Sequence, residues 1–437
     1  MSQHNGPTNA AEEVGFRESG GQGLRPEPRN PGTPGPLLRI LRILFFVAVF
    51  SIGLFLFHRQ VLGNVTAPPY PSDLPVHIEL ARLFFQHAIR LSQAGFQFLV
   101  YVPSRLLGLP LETSGVVVTA LLATLIAAVL YVILRATLGR EYPDWSLLLM
   151  TVLLLVVSAV YAPFFNQYVY AGQGSPNVWH SPTAIAVKPF AFLALWLFPA
   201  TVERPLKGRN LGLGALVAAL LLATAWTKPS FVFVLIPAVY LLFLIQRRPD
   251  LLGRSTLVFL PTIALLCAQY GATYLAPGSS EPVMIAIKGG TQVPVYTSDR
   301  ILFNFLGVWR TMTPNVLVSL VLALAFPLSM LVFRFRRNTQ DRHLALSWLM
   351  VAFGVIQFAV LAEQNRFGHA NFSWGYVIAL QPLFVFSLVE YFRWWKLRNP
   401  ADAGERRKLV TVSVVLALHL VSGAFYLIRL LLGGPFL

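Results

Sequence analysis

Asp73 and His77 stand four residues apart in the run Tyr70-Pro-Ser-Asp-Leu-Pro-Val-His77, just after the first long apolar segment. A carboxylate and an imidazole beside a membrane span are costly to keep there without a use. The carboxylate is suited to act as a general base on a hydroxyl proton. Pro71 and Pro75 stiffen the backbone that carries it. The same residues also fit the start of a helix, with Ser72 or Asp73 as its N-cap. The residues alone leave both roles open.

Three further groups of polar residues interrupt apolar sequence. The first runs from Asn166, Gln167, Tyr168 and Tyr170 through Gln173, Asn177, Trp179 and His180 to Thr183, with Lys188 just inside the next apolar run. Amides and aromatics suit the hydroxyls and faces of sugars, and an interfacial aromatic belt has the same composition. Lys188 is the only charge of its run, able to snorkel outward or to meet a phosphate. The second group is Trp226-Thr-Lys-Pro-Ser230, where Lys228 is a lone cation between two apolar runs. The third is dense with Glu363, Arg366, His369, Asn371 and Trp374. Arginine recognises phosphate in bidentate fashion, although a Glu363–Arg366 pair at i,i+3 would be structural.

The elements that must position these groups are membrane spans. The chain has 437 residues, 56% hydrophobic and only 12% charged. Its apolar runs repeatedly reach the roughly 20 residues that span a bilayer as helix, without the short alternating segments of a transmembrane barrel. The expected fold is all-α: a polytopic transmembrane helical bundle of about eleven spans. These fall near 37–57, 112–134, 145–163, 183–201, 210–227, 229–246, 255–275, 314–333, 345–362, 374–392 and 409–431, with Lys228-Pro229 the only break between the fifth and sixth. Residues 1–36, rich in Gly, Pro, Asn and Glu, have the composition of a disordered tail. The remainder, 37–437, forms a single membrane domain that begins with an uncleaved anchor.

The formal charge of +16 does not point to nucleic acid, because the basic residues gather in short loops between spans. Arg39 and Arg42, Arg135 and Arg140, Arg204 to Arg209, Arg247 to Arg254, Arg334 to Arg342, and Arg393 to Lys408 all fall on one side if the tail is cytoplasmic. The positive-inside rule then places the chain as a multi-pass protein of the inner (plasma) membrane with a cytoplasmic N-terminus. The polar groups face the extracytoplasmic side. The first outer loop, 58–111, is expected to hold an amphipathic helix from Ile78 to Leu91, with Glu79, Arg82, Gln86 and Arg90 on its polar face, and a second over Phe96–Leu107. Cys267 lies in an apolar run and is expected to be a small packing residue. The loop 276–313, with Glu281, Lys288, Asp299, Arg300 and Arg310, is less specific; Lys288-Gly-Gly290 lacks the P-loop pattern. No His/Cys/Glu spacing marks a zinc site and no serine elbow is present.

A first span, an outer loop opening on an aspartate, an amphipathic helix and then many spans resembles the GT-C superfamily of integral-membrane glycosyltransferases. The resemblance implies that Asp73 is the catalytic carboxylate, with His77 or Glu79 in support. It implies a sugar donor on a polyprenyl phosphate or diphosphate, a glycan or glycolipid acceptor, and a single inverting displacement. Lys188, Lys228 and Arg366, with Arg310 behind them, are the candidates to hold the donor phosphate. Asn177, Trp179, His180, Glu363, His369 and Asn371 are the candidates for sugar or acceptor. Many members carry a second acidic residue beside the first, where this chain has Leu74. That departure bears on metal dependence and on which group is the base: the resemblance allows a divalent cation, and the residues here require none. The rival readings are a polysaccharide polymerase or ligase using similar donors, and a transporter of lipid or solute, for which Lys188 and the Lys228-Pro229 break would serve transport.

Overall fold

In the computed structural model, residues 36–62, 72–166, 170, 172–275, 282–286, 292–295 and 299–434 are described. The expected tail up to residue 35, and Tyr70, Pro71, Gln167, Tyr168, Glu281 and Lys288, lie outside them. The chain divides into residues 1–41 and 42–437. Only Pro36–Leu41 of the first unit are described, as the opening of a helix; all the other described residues belong to the second.

The helices are α1 (Pro36–Leu62), α2 (Leu74–Phe85), α3 (Gly95–Leu107), α4 (Leu111–Leu138), α5 (Asp144–Val156), α6 (Pro182–Val202), α7 (Arg209–Thr227), α8 (Ser230–Ile245) and α9 (Pro249–Tyr270). A short hairpin of β1 (Val283–Ala286) and β2 (Gln292–Val295) comes after them, then β3 (Ile301–Phe303), α10 (Gly307–Met312), α11 (Val316–Phe333), α12 (Phe335–Gln340) and α13 (Arg342–Val360). Next, β4 (Leu361–Glu363) pairs antiparallel with β3, Ile301 opposite Glu363, and the chain ends with α14 (Ser373–Leu397) and α15 (Ala403–Leu431).

Among the described residues nine helices are long and apolar enough to cross a membrane: α1, α4, α6, α7, α9, α11, α13, α14 and α15. The chain is a helical, multi-pass membrane protein. The other two expected spans correspond to the shorter apolar helices α5 and α8. The centre is α14, where every residue from Ser373 to Tyr391 is buried. A helix apolar all round belongs in the interior of a bundle. Its packing on α13 is close because Gly354 leaves room: a Cβ there would come within 2.5 Å of the Tyr376 backbone.

Two departures from the sequence expectation shape the site. The span expected over 145–163 is helical only to Val156. Beyond it the chain runs extended between α11 and α15, with Ser158 N–H donating to His419 O, Val160 N–H to Leu322 O and Tyr161 N–H to Ser422 Oγ. His419 Nδ1 donates back to Ser158 O at 2.6 Å, while its Nε2 accepts from Phe326 N–H at 3.2 Å. Non-helical backbone inside a bundle persists only where neighbours satisfy its polar groups, as here. The helix expected over Ile78–Leu91 likewise stops at Phe85. Ala88 N–H bonds Leu83 O and His87 N–H bonds Phe84 O, with His87 at φ 59°. This is a Schellman stop that uses histidine in the left-handed position where glycine is usual. The second loop helix, α3, begins one residue before its expected start. Cys267 is exposed on α9, facing out of the bundle instead of packing within it.

The charged helix ends pair with one another. Asp144, almost fully buried, receives Arg42 and Arg135, and Tyr131 donates to it at 3.2 Å. Lys396 meets Glu141, Arg342 meets Glu203, and Arg334 reaches Glu390 at 3.1 Å. These pairs join the ends of α4, α6, α11 and α14 to the starts of α5, α13 and α1. The opposite helix ends surround the candidate site.

Candidate functional site: a polar cavity around Asp73

The turn before α2 and the loop before α6 fix each other. Asp73 N–H donates to His180 O at 3.0 Å and Ser72 Oγ donates to the same oxygen at 2.9 Å. Asp73 occupies the N-cap position of α2, yet its carboxylate accepts no capping hydrogen bond. Leu74 N–H is taken by Ser72 Oγ at 3.0 Å, and Pro75 has no N–H to offer. The first turn therefore leaves the Asp73 carboxylate largely unemployed, and it lines a cavity of about 630 Å³. Partial withdrawal from water raises its pKa from 3.8 to about 6, with the Lys228 charge pulling the other way.

Lys228 owes its place to the α7–α8 break. The residue before a proline is driven out of the helical region, and Lys228 is extended at φ −159°, ψ 102°. Its ammonium donates to Thr183 Oγ1 at 3.1 Å and lies 3.9 Å from the centre of the Trp374 ring. Burial lowers its pKa to about 8, opposed by Asp73. His77 is held neutral, its pKa lowered to about 3 by burial and then by Lys228. Gln97 Nε2 donates to its Nδ1 at 3.2 Å, which places the remaining ring proton on Nε2. His180, lowered to about 3 by the same two causes, shares a 2.8 Å hydrogen bond between Nδ1 and the Tyr426 hydroxyl. Tyr170 stands edge-on to His180 at 4.7 Å, and burial together with the Asp73 charge keeps its phenol protonated.

A second cluster forms the far wall. Arg366 donates to Asp299 Oδ2 at 3.0 Å and to Glu363 Oε1 at 2.8 Å. Glu363 also accepts from the Tyr274 hydroxyl at 2.8 Å and from Asn371 Nδ2. The antiparallel pairing of β3 with β4 sets this cluster, because it carries Glu363 at the edge of the cavity beside Arg300 and Asp299. Exposed His369 and half-buried Asn371 line the same wall.

The sequence matches no family model and no curated protein. The site therefore rests on its own geometry.

Of the residues singled out in the sequence, Asp73, His77, His180, Lys228, Glu363, Arg366, His369 and Asn371 line one cavity. Four do not. Lys188 is buried and donates to Pro176 O at 2.8 Å. Asn177 spans the carbonyls of Leu154 and Val157 at 2.8 and 2.9 Å, satisfying the open end of α5. Trp179 is buried, its carbonyl accepting from Gln60 Nε2 at 3.2 Å. Arg310 is exposed on α10, away from the cavity. The lining also includes Tyr274, Gln97, Gln357 and Arg90, which sequence patterns did not single out as site residues. Each sits within or beside an apolar helix run, where one polar residue carries little signal. Among the described residues no group of three or more His, Cys, Asp or Glu is placed to hold a metal ion.

Proposed function

We propose that this chain is a membrane glycosyltransferase of GT-C type, moving a sugar from a polyprenyl-phosphate-linked donor to an acceptor hydroxyl at the extracytoplasmic face, in cell-envelope glycan or glycolipid assembly. The observation that carries this reading is the uncapped Asp73 carboxylate in a polar cavity, with a pKa near 6 and Lys228 in electrostatic reach. At neutral pH it is ionised, yet basic enough to take a hydroxyl proton. The sidedness is supported by the basic loops, which join helix ends opposite the cavity.

In the proposed reaction the acceptor oxygen forms a bond to the anomeric carbon while the bond from that carbon to the donor phosphate oxygen breaks. The hydroxyl proton passes to Asp73, and the leaving phosphate keeps the electron pair. Lys228 supplies positive charge where that charge develops. Tyr170 offers an aromatic ring for a sugar, and Asn371 and His369 offer polar groups for its hydroxyls.

The test is transfer of labelled sugar from a polyprenyl-phosphate donor by purified protein in detergent. Turnover without a sealed compartment supports an enzyme. A strict requirement for sealed vesicles, with donor chemically unchanged, would contradict it and favour transport.

A further inference from the structure

Three cations line the cavity among the described residues, and they are not equivalent. Arg366 is engaged by two carboxylates, Asp299 and Glu363, so its cluster carries net negative charge. Lys228 is held against Thr183 and the Trp374 ring, with Asp73 as its balancing charge. Arg90 is different. It is exposed to the cavity and makes no hydrogen bond or ion pair with any described residue.

The backbone around Arg90 is nonetheless fixed. On one side the Schellman stop of α2 sets the turn, and Ile89 is buried with Leu80 and Ile285. On the other, Ser92 O accepts from Gln269 Nε2 at 3.0 Å and Ser92 Oγ accepts from Thr273 Oγ1 at 2.9 Å, at the end of α9 and just beyond it. A segment clamped at both ends thus presents a guanidinium that is uncommitted among the described residues. Val76, Leu80 and Leu91 supply apolar lining in the same cavity.

We propose that Arg90 is the phosphate-recognising group of this cavity, with an amphiphile bearing a phosphate as its ligand. The inference rests on the donor class proposed above and moves phosphate recognition away from Arg366. A guanidinium binds two phosphate oxygens at once. One without a carboxylate partner among the described residues offers its full charge to the phosphate that leaves when the sugar bond breaks. Arg366 instead orders the carboxylate and amide wall that faces the sugar.

Calorimetry on the purified full chain in detergent tests this, using geranylgeranyl phosphate, geranylgeraniol and inorganic phosphate as probes. The wild type is expected to bind the phosphate ester about tenfold or more tightly than the alcohol. Arg90→Ala is expected to abolish that preference while leaving alcohol binding and the unfolding midpoint unchanged, and Arg90→Lys to keep part of it. If excess inorganic phosphate displaces the ester in an Arg90-dependent manner, the site accepts the free anion; absence of displacement assigns it to the lipid-borne phosphate, and both outcomes support Arg90. A preference that survives in Arg90→Ala would overturn the role of Arg90 while leaving the donor class intact. Absence of any preference in the wild type would overturn the donor class itself.

Discussion

At the scale of single residues, the site is organised by the opposition of Asp73 and Lys228. Burial weakens both charges while their attraction restores part of each. The active pair is the ionised carboxylate with the protonated amine, so the transfer rate should rise as pH passes about 6 and fall as it passes about 8. Lys228→Met should remove the alkaline limb, reduce the rate and move the acid limb upward, because Lys228 is what pulls the Asp73 pKa down. A pH–rate profile with an acid limb near 4 in the wild type would exclude Asp73 as the titrating base. Stability should show the cost of keeping that carboxylate. Between 3.8 and about 6 the folded state retains a proton that the unfolded chain releases, so ionisation destabilises the fold, fully above about 6. Asp73→Asn is expected to raise stability at pH 7.5 by about 1–2 kcal/mol, less than the whole shift implies because cavity water screens the group. The gain should vanish near pH 4; thermal unfolding at both values checks it. Much of this was legible in the sequence, since an aspartate beside a span and a lysine before proline are anomalies of residue type. Whether Asp73 caps a helix was not, because the answer depends on which way its side chain turns in the packed chain, into the cavity and not onto the first turn.

At the scale of elements, departures from helix carry the polar groups. The Lys228-Pro229 break was visible because proline dictates it. The stop after Val156 was not, because it depends on His419 and Ser422 of a helix more than 250 residues away. Nor was the turn after Phe85, where histidine takes the place of the expected glycine and swings Arg90 off the polar face of a helix. Sequence patterns report local periodicity, and these ends are set by distant partners. Gly423 tests the extended segment: a Cβ there would lie 1.7 Å from Val156 O. Gly423→Ala should destabilise the protein by about 3 kcal/mol or more. Gly212→Ala, on α7 with nothing within 4 Å of the added carbon, should be neutral or slightly stabilising. Equal unfolding midpoints for the two variants would contradict the close packing of α15 on that segment.

At the scale of the whole molecule, charge is segregated. Interlocked arginine and carboxylate pairs join one set of helix ends, and the cavity lies among the others. If the positive-inside rule governs insertion, a cysteine at exposed Gln364 should react with an impermeant thiol reagent on intact cells, in a Cys267→Ser background. One at exposed Arg406 should react only after permeabilisation. The reverse pattern would invert the proposed sidedness. The membrane class could be anticipated from hydropathy, whereas the convergence of α2, α6, α7 and the paired strands β3 and β4 on one cavity required the packed chain. The most direct measurement of the central claim is sugar transfer by Asp73→Asn beside the wild type, both purified as folded protein, with labelled polyprenyl-phosphate sugar at pH 7.5. Loss of about 100-fold or more in rate with donor binding retained is the expected result for a missing general base. Transfer at the wild-type rate by the folded Asp73→Asn protein would contradict it.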